Sequence, residues 1–134
     1  MKNGESLKTS SFPGAPLVYV LVLNRNNWKD TNRCLTSLRL LDYSPRTVLV
    51  LDNGSTDSSV LKIQEEFPEF EIIALSENLG FAKGNNVGIR LAMERGADYV
   101  WVLNNDTVVN PGALRAMVKK AERDPRIGAV GSKS

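Results

Sequence analysis

The sequence contains no histidine and a single cysteine among its 134 residues, and these absences restrict the chemistry that it can support. Without histidine, a Ser-His-Asp triad, a histidine general base and a histidine-containing zinc site are all excluded. One cysteine excludes an internal disulfide and a cluster of cysteine ligands, and a lone thiol fits a reducing cytoplasm. Any catalysis must therefore use carboxylates, amides, lysines, arginines or a metal held by oxygen atoms.

The sequence also lacks a strong charge of one sign and a long apolar run. Its 17 basic and 15 acidic residues give a net charge of +2, which is too small to favour nucleic acid as a partner. No apolar run approaches the ~18–20 residues of a transmembrane helix, and no apolar signal core precedes Pro13. The length fits one domain with its own hydrophobic core. We therefore expect a single cytoplasmic domain without a transmembrane segment.

Apolar runs and helical patterns alternate along the chain after a polar segment at residues 1–16, which we interpret as a flexible tail. The continuous apolar runs are typical of strands buried on both faces, and the segments between them carry apolar residues at helical spacing. This alternation predicts a three-layer α/β fold over residues 17–134, with a mainly parallel sheet and helices on both faces. The predicted strands are residues 17–23, 47–51, 70–75 and 99–103, and a fifth begins at 127–130.

Amides and acids follow the predicted strands, at the edge where a parallel sheet binds ligands. Taken singly, each group is also explained by a turn, because turns favour Asn and Asp. Their recurrence after four strands favours a site for a polar small molecule. Amides can recognise a sugar or a base edge, and Asp52 or Asp106 could hold Mg²⁺ or Mn²⁺. The residues concerned are Asn24, Asn26, Asn27, Asp52, Asn53, Glu77, Asn78, Asn104, Asn105 and Asp106, and Arg25 lies among the first of them.

Residues 76–83 are predicted to form the loop after the third strand. The glycine-rich segment 80–88, which overlaps this loop, matches neither the P-loop nor the dinucleotide-binding pattern. Two interpretations stay open for it. Backbone N–H groups or Lys83 could lie near a phosphate at a helix start, or the glycines could simply form a strand-to-helix turn. Trp28, Trp101 and Cys34 occupy apolar patterns, and we interpret them as packing residues.

Four segments of the chain resemble the N-terminal half of a family 2 glycosyltransferase with the GT-A fold. They are residues 22–27 (VLNRNN), 50–57 (VLDNGSTD), 77–89 (ENLGFAKGNNVGI) and 101–106 (WVLNND). The resemblance implies a Rossmann-like, nucleotide-sugar-binding half of that fold. The amide-rich third and fourth segments are most similar to the rhamnosyltransferase-type branch, which uses dTDP-sugars.

The resemblance also implies a role for individual residues. Asp52 would hydrogen-bond the pyrimidine base, Asn105 would lie near the ribose, and Asp106 would bind Mn²⁺ or Mg²⁺ on the sugar diphosphate. Amides stand before Asp106, so no second acidic ligand is implied, and Arg25 replaces the aromatic residue of many members. The other nucleotide-binding positions implied are Leu23, Asn24, Arg25, Asn53, Asn78, Lys83, Asn86 and Asn104.

Inverting sugar transfer needs a metal to neutralise the leaving diphosphate and a carboxylate to deprotonate the acceptor hydroxyl. The resemblance implies that this base lies in the second half of the family's domain, beyond Ser134. We therefore expect a chain truncated at its C-terminus that binds a dTDP- or UDP-sugar. The intact enzyme would use a saccharide or lipid-linked acceptor in cell-wall or polysaccharide synthesis, peripheral to the inner membrane.

Two alternatives remain open at this point. The chain could be a complete small enzyme that hydrolyses or transfers sugar by itself. It could instead be a non-catalytic α/β nucleotide-binding or interaction module of receiver type. That second alternative requires an acidic cluster after the first strand, and residues 24–27 contain no acid.

Overall fold

Strands and helices alternate strictly along residues 15–123, which are the residues that the computed structural model describes. All pairings between their four strands are parallel, and the strand order is β3-β2-β1-β4. The predicted α/β fold with a parallel sheet is therefore confirmed. The elements are β1 (Val18–Asn24), α1 (Trp28–Leu38), β2 (Arg46–Asn53), α2 (Ser59–Glu66), β3 (Glu71–Leu75), α3 (Phe81–Glu94), β4 (Tyr99–Leu103) and α4 (Ala113–Arg123).

Strand β1 forms the centre of the sheet and divides its side chains between two cores. Val18, Val20 and Val22 pack on one face with apolar residues of α1, α2 and α4. Tyr19 and Leu21 pack on the other face with residues of α3. Successive side chains of a strand point to opposite faces, so the uninterrupted apolar run of β1 reflects burial on both sides.

The aromatic residues and the cysteine pack as the sequence predicts. Trp101 is 2% exposed and Cys34 is fully buried, and both belong to the core on the α1 face. Trp28 packs against the same core, with its ring 6.5 Å from that of Phe67 in an edge-on arrangement. The structure gives these side chains a packing role.

Helix α3 approaches the sheet closely because glycines face it. A Cβ atom at Gly88 would lie 2.4 Å from Leu51 Cδ1, and one at Gly84 would lie 3.0 Å from Leu23 Cδ1. Of the glycines in the segment 80–88, these two therefore serve helix–sheet packing. The third, Gly80, precedes the helix with a positive φ of 87°.

Three predicted boundaries differ from the structure at the ligand-binding edge. Strands β1 and β2 continue one and two residues beyond their apolar runs, because the pairing of Asn24 with Asp52 extends the ladder. Helix α3 begins at Phe81, so Lys83 lies in its first turn instead of in the predicted loop.

The ends of the predicted domain fall mostly outside the described residues. The fifth strand at 127–130 and residues 1–14 of the tail both lie there. Ala15 and Pro16, which the sequence assigns to the tail, are buried, and the Pro16 carbonyl accepts a hydrogen bond from the Tyr43 hydroxyl at 2.5 Å. Among residues 15–123, no helix has the length and apolar character needed to cross a membrane.

Candidate functional site

The polar strand ends meet at the point where the order of the strands reverses. From β1 the chain moves outward to β2 and β3, and then returns to place β4 on the other side of β1. Such a reversal opens a crevice at the carboxyl ends of the strands, and this is where open α/β sheets bind ligands. Asn24 ends β1 beside this point, and residues 104–106 follow β4 directly.

Asp52 is held firmly by protein donors at the end of β2. It is 1% exposed. Its Oδ1 atom accepts hydrogen bonds from Asn24 Nδ2 (2.9 Å) and Ser55 Oγ (2.7 Å), and its Oδ2 atom accepts one from the Ser55 N–H (2.9 Å). The carboxylate therefore joins the end of β1 to the turn that follows β2. Its hydrogen bond to a pyrimidine base stays a prediction.

Thr31 continues these contacts toward the loop after β4. Its hydroxyl donates to Asn24 Oδ1 at 2.6 Å and accepts from Asn105 Nδ2 at 3.0 Å. The hydrogen bonds thus run without a break from Asp52 through Asn24 and Thr31 to Asn105. We call the set Asn24, Thr31, Asp52, Ser55 and Asn105 the strand-end network.

Sequence reasoning missed Thr31, although the sequence carries a signal for it. Thr31 precedes Cys34, Leu35 and Leu38 by three, four and seven residues, so it belongs to the buried stripe of α1. A polar residue in an apolar stripe needs a buried hydrogen-bond partner, and the nearest polar strand end is Asn24.

Asn53 fixes the loop after β3 against the end of β2. It is 3% exposed. Its Nδ2 atom donates to the Gly80 carbonyl at 3.1 Å, and its Oδ1 atom accepts from the Leu79 N–H at 2.9 Å. Asn78 closes the same loop by accepting the Gly80 N–H at 2.9 Å. Both amides therefore shape the backbone that leads into α3.

The loop after β4 carries an exposed carboxylate. Asp106 is exposed to solvent and lies within a turn that is closed by a hydrogen bond from the Thr107 N–H to the Asn104 carbonyl at 3.0 Å. Burial raises the pKa of the Cys34 thiol to about 12, and the negative charge of Asp106 adds to the effect. A thiol with so high a pKa is a poor nucleophile, because the thiolate is the reactive form.

No three His, Cys, Asp or Glu side chains cluster closely enough to hold a metal ion anywhere in residues 15–123. A cation at Asp106 would therefore complete its oxygen shell from amide groups, water and a bound phosphate. Mg²⁺ sites commonly have this composition, with one or two carboxylates and substrate phosphates. The donor set at the loop after β4 fits such a site.

The remaining predicted residues lie around this edge in two groups. Leu23 is half-buried beneath Gly84 of α3, and Arg25 is exposed just after β1. Lys83 and Asn86 are exposed on the first two turns of α3. Among the described residues, no hydrogen bond joins Arg25, Lys83 or Asn86 to the strand-end network.

Asn85 is a second polar residue that sequence reasoning missed. The sequence points to its neighbour Asn86, but the structure exposes Asn86 and leaves Asn85 only 5% exposed. Within residues 15–123, neither amide atom of Asn85 has a hydrogen-bond partner. An unpaired buried amide is costly, by about 1–3 kcal/mol. The feature of the sequence that points to the burial of Asn85 is its position directly after Gly84, a residue that faces the sheet.

Comparison with known proteins identifies the family. Residues 18–133 match the family described as Glycosyl transferase family 2. The chain belongs to glycosyl transferase family 2. The resemblance stated from the four sequence segments is therefore confirmed.

Two bacterial proteins similar to this chain are, by their names, a rhamnosyltransferase and a polysaccharide synthase. N-acetylglucosaminyl-diphospho-decaprenol L-rhamnosyltransferase of Mycobacterium tuberculosis is 35% identical over 107 residues, which cover 74% of this chain and 35% of that protein. Poly-beta-1,6-N-acetyl-D-glucosamine synthase of Staphylococcus aureus is 33% identical over 99 residues, covering 72% and 23% respectively. The chain therefore spans about a third of the length of the first relative and about a quarter of the length of the second.

Solved glycosyltransferase structures share the fold. S. aureus TarS superposes with a TM-score of 0.68 at 25% identity, covering 79% of this chain and 19% of TarS. Its 1–349 form, determined with UDP-GlcNAc, gives a TM-score of 0.69 at 25% identity and is covered over 31% of its length. A mannosyltransferase from Pyrobaculum calidifontis, in complex with GDP-Man and Mn²⁺, gives a TM-score of 0.67 at 24% identity. The match covers 79% of this chain and 32% of the mannosyltransferase. The predicted GT-A type of fold is confirmed by these likenesses.

Proposed function

We propose that this family 2 domain binds a nucleotide-diphospho-sugar with a divalent metal, as the donor-binding half of an inverting glycosyltransferase. One structural observation is the main support for this proposal. The strand-end network gathers Asn24, Asp52 and Asn105 at the reversal point of the sheet, directly beside the exposed carboxylate of Asp106. The structures of TarS with UDP and with UDP-GlcNAc support a UDP- or dTDP-linked donor.

The base would bind at the ends of β1 and β2. Leu23, Asn24 and Arg25 form one side of this region, and Asp52 and Asn53 form the other. A pyrimidine offers an N–H donor between two carbonyl acceptors, so a carboxylate and amides complement it. Asn78 and Asn86 would border the nucleotide from the α3 side, where Lys83 adds a positive charge for the phosphates.

Asp106 would hold the divalent metal, with Asn104 and Asn105 beside it. A bound Mg²⁺ or Mn²⁺ would neutralise the charge that develops on the leaving diphosphate. The protein contributes the exposed carboxylate of Asp106 and an amide-lined loop whose turn is closed by its own hydrogen bond. Neither Asp106 nor Asp52 is then available to deprotonate the acceptor, so the general base would lie outside the donor half.

The acceptor would be a saccharide or a lipid-linked saccharide. The rhamnosyltransferase relative supports this, because its name describes a sugar on a diphospho-decaprenol carrier. The amide-rich segments at residues 77–89 and 101–106 favour a dTDP-sugar as the donor, in line with the same branch of the family.

Calorimetric titration of UDP and dTDP, each with and without Mn²⁺, tests the proposal. We expect Asp106→Asn to weaken Mn²⁺-dependent affinity by at least about tenfold, equivalent to about 1.4 kcal/mol. Because Asp106 is exposed, the unfolding temperature should stay unchanged. Glu65→Gln is the matched control, since it neutralises an exposed carboxylate on α2. Absence of nucleotide binding, or an unchanged Mn²⁺ effect in Asp106→Asn, would contradict the proposal.

A further inference from the structure

Thr31 lies where three parts of the candidate site meet. It is 0% exposed and sits in the first turn of α1. Its hydroxyl contacts Asn24 at the end of β1 and Asn105 in the loop after β4. A buried hydroxyl that bridges two amides from different elements fixes their relative position and also the direction of each hydrogen bond.

The directions follow from Asp52 outward. A carboxylate that receives Asn24 Nδ2, the Ser55 N–H and the Ser55 hydroxyl acts as an acceptor in all three bonds. Asn24 must then turn its Oδ1 atom toward Thr31. The Thr31 hydroxyl gives its one proton to that oxygen and has lone pairs left for Asn105. Asn105 therefore directs its NH₂ group toward Thr31 and its amide oxygen away from Thr31.

We propose that Thr31 is a positioning residue that orients Asn105, so that the amide oxygen of Asn105 faces a ribose hydroxyl or the divalent cation of the bound nucleotide beside Asp106. This inference rests on the proposed function. An amide oxygen attracts an electropositive group, either a ribose hydroxyl proton or a divalent cation. The opposite orientation would turn N–H protons toward a cation and repel it, and would leave a ribose hydroxyl that donates here without its acceptor. Asn105 thus supplies an oxygen although it is not an acid.

A hydroxyl group is needed at position 31 because it accepts one hydrogen bond and donates another at the same time. A Thr31→Val substitution keeps the branched shape but leaves Asn24 Oδ1 and Asn105 Nδ2 without their shared partner. The Asn105 amide can then rotate by half a turn at little cost. Thr31→Ser keeps the hydroxyl and should keep the orientation. Thr36→Val makes the same chemical change on the exposed face of α1, where the Thr36 hydroxyl bonds the Asn32 carbonyl of its own helix at 2.8 Å.

The first measurement is the affinity of the full chain for UDP, by calorimetry with and without Mn²⁺. We expect Thr31→Val to weaken binding by about tenfold, while Thr31→Ser and Thr36→Val stay within about threefold of the unmodified protein. If the loss occurs without Mn²⁺, the Asn105 oxygen accepts a ribose hydroxyl. If the loss occurs in the Mn²⁺-dependent part of the affinity, the oxygen belongs to the shell of the cation.

The second measurement needs no ligand and reports the orientation directly. The side-chain NH₂ of Asn105, followed by ¹⁵N NMR and assigned with Asn105→Ala, should exchange with solvent slowly. In Thr31→Val this exchange should be at least about tenfold faster, because the hydrogen bond that protects the protons is gone. Thr31→Ser should retain the slow exchange.

The outcomes separate this inference from the proposed function. If the unmodified protein binds no nucleotide, the proposed function fails, and the Asn105 exchange rate alone then decides whether Thr31 sets the orientation. Unchanged Asn105 exchange in Thr31→Val would overturn the inference. So would unchanged UDP affinity in Thr31→Val, or a Thr31→Ser variant that binds as weakly as Thr31→Val.

Discussion

Buried polar side chains determine the shape of the candidate site at the scale of single residues. Asn24 and Thr31 are 0% exposed, and Asp52 is 1% exposed. Each of these buried side chains has hydrogen-bond partners within the protein. Leaving one such group unpaired would cost about 1–3 kcal/mol, so the network resists rearrangement. Asp106, by contrast, is exposed and can exchange water for a ligand.

The reactivity of Cys34 tests the burial of this region. Burial raises its pKa to about 12, so the thiol stays protonated at about pH 8.5, near the ordinary pKa of a free thiol. We expect iodoacetamide to label the native protein at least about a hundredfold more slowly than the urea-unfolded protein, because only the thiolate reacts. Mass spectrometry of quenched samples measures both rates. Equal labelling of native and unfolded protein would show that Cys34 is accessible.

Sequence reasoning found the residues at strand ends but not those that face them. Asn24, Asp52 and Asn105 could be predicted because an apolar run that stops at an amide or acid marks the sheet edge. Thr31 and Asn85 lie on helices, where the inward direction depends on where the helix begins. The sequence placed residue 83 in a loop, and the helix begins at residue 81, so the phase of α3 was not fixed and the burial of Asn85 could not be predicted.

At the scale of elements, the turns after β2 and β3 are built against each other. Gly54 follows β2 with a positive φ of 73°, and a Cβ atom there would lie 2.5 Å from the backbone carbon of Glu77. Gly80 also has a positive φ, of 87°, but a Cβ atom there would meet nothing within 4 Å. Substitution of Gly80 therefore tests the effect of backbone conformation alone, whereas substitution of Gly54 tests the effects of conformation and of close packing together.

This pair of glycines gives a prediction for the packing of the two loops. Gly80→Ala should lower the free energy of unfolding by about 1–3 kcal/mol through strain alone, because a φ of 87° with a ψ of 166° is a conformation almost confined to glycine. Gly54→Ala adds a backbone clash to the strain of its own positive φ, and its loss should exceed about 3 kcal/mol. Urea unfolding of both variants measures the difference. Equal losses would mean that the turn after β2 does not pack against Glu77 in solution.

The order and type of the elements could be predicted from the sequence, whereas their ends at the site could not. Apolar runs mark buried strands well, but β1 and β2 continue into Asn24 and Asn53 because backbone pairing does not require apolar side chains. These polar residues are therefore held by the ladder itself. The side chains of Asn24 and Asn53 are therefore held more firmly than they would be in the loops where the sequence had placed them.

At the scale of the whole molecule, sheet topology places the site. The strand order β3-β2-β1-β4 puts the reversal between β1 and β4, and helices cover both faces of the sheet. The carboxyl edge is thus the place where polar groups from three strands meet. The chain spans about a third of the rhamnosyltransferase relative and about a quarter of the synthase relative, so the tests on this chain concern donor binding.

Paramagnetic relaxation by Mn²⁺ tests the central claim most directly, because it locates the metal and the nucleotide together. Backbone amide signals of the ¹⁵N-labelled chain are recorded with UDP and Mg²⁺, and Mn²⁺ is then added in trace amounts. The account predicts the strongest broadening at residues 104–106, weaker broadening at Asn24 and Asn53, and loss of the effect without UDP or in Asp106→Asn. Broadening centred on the exposed acids of α2, or spread evenly over the surface, would contradict it.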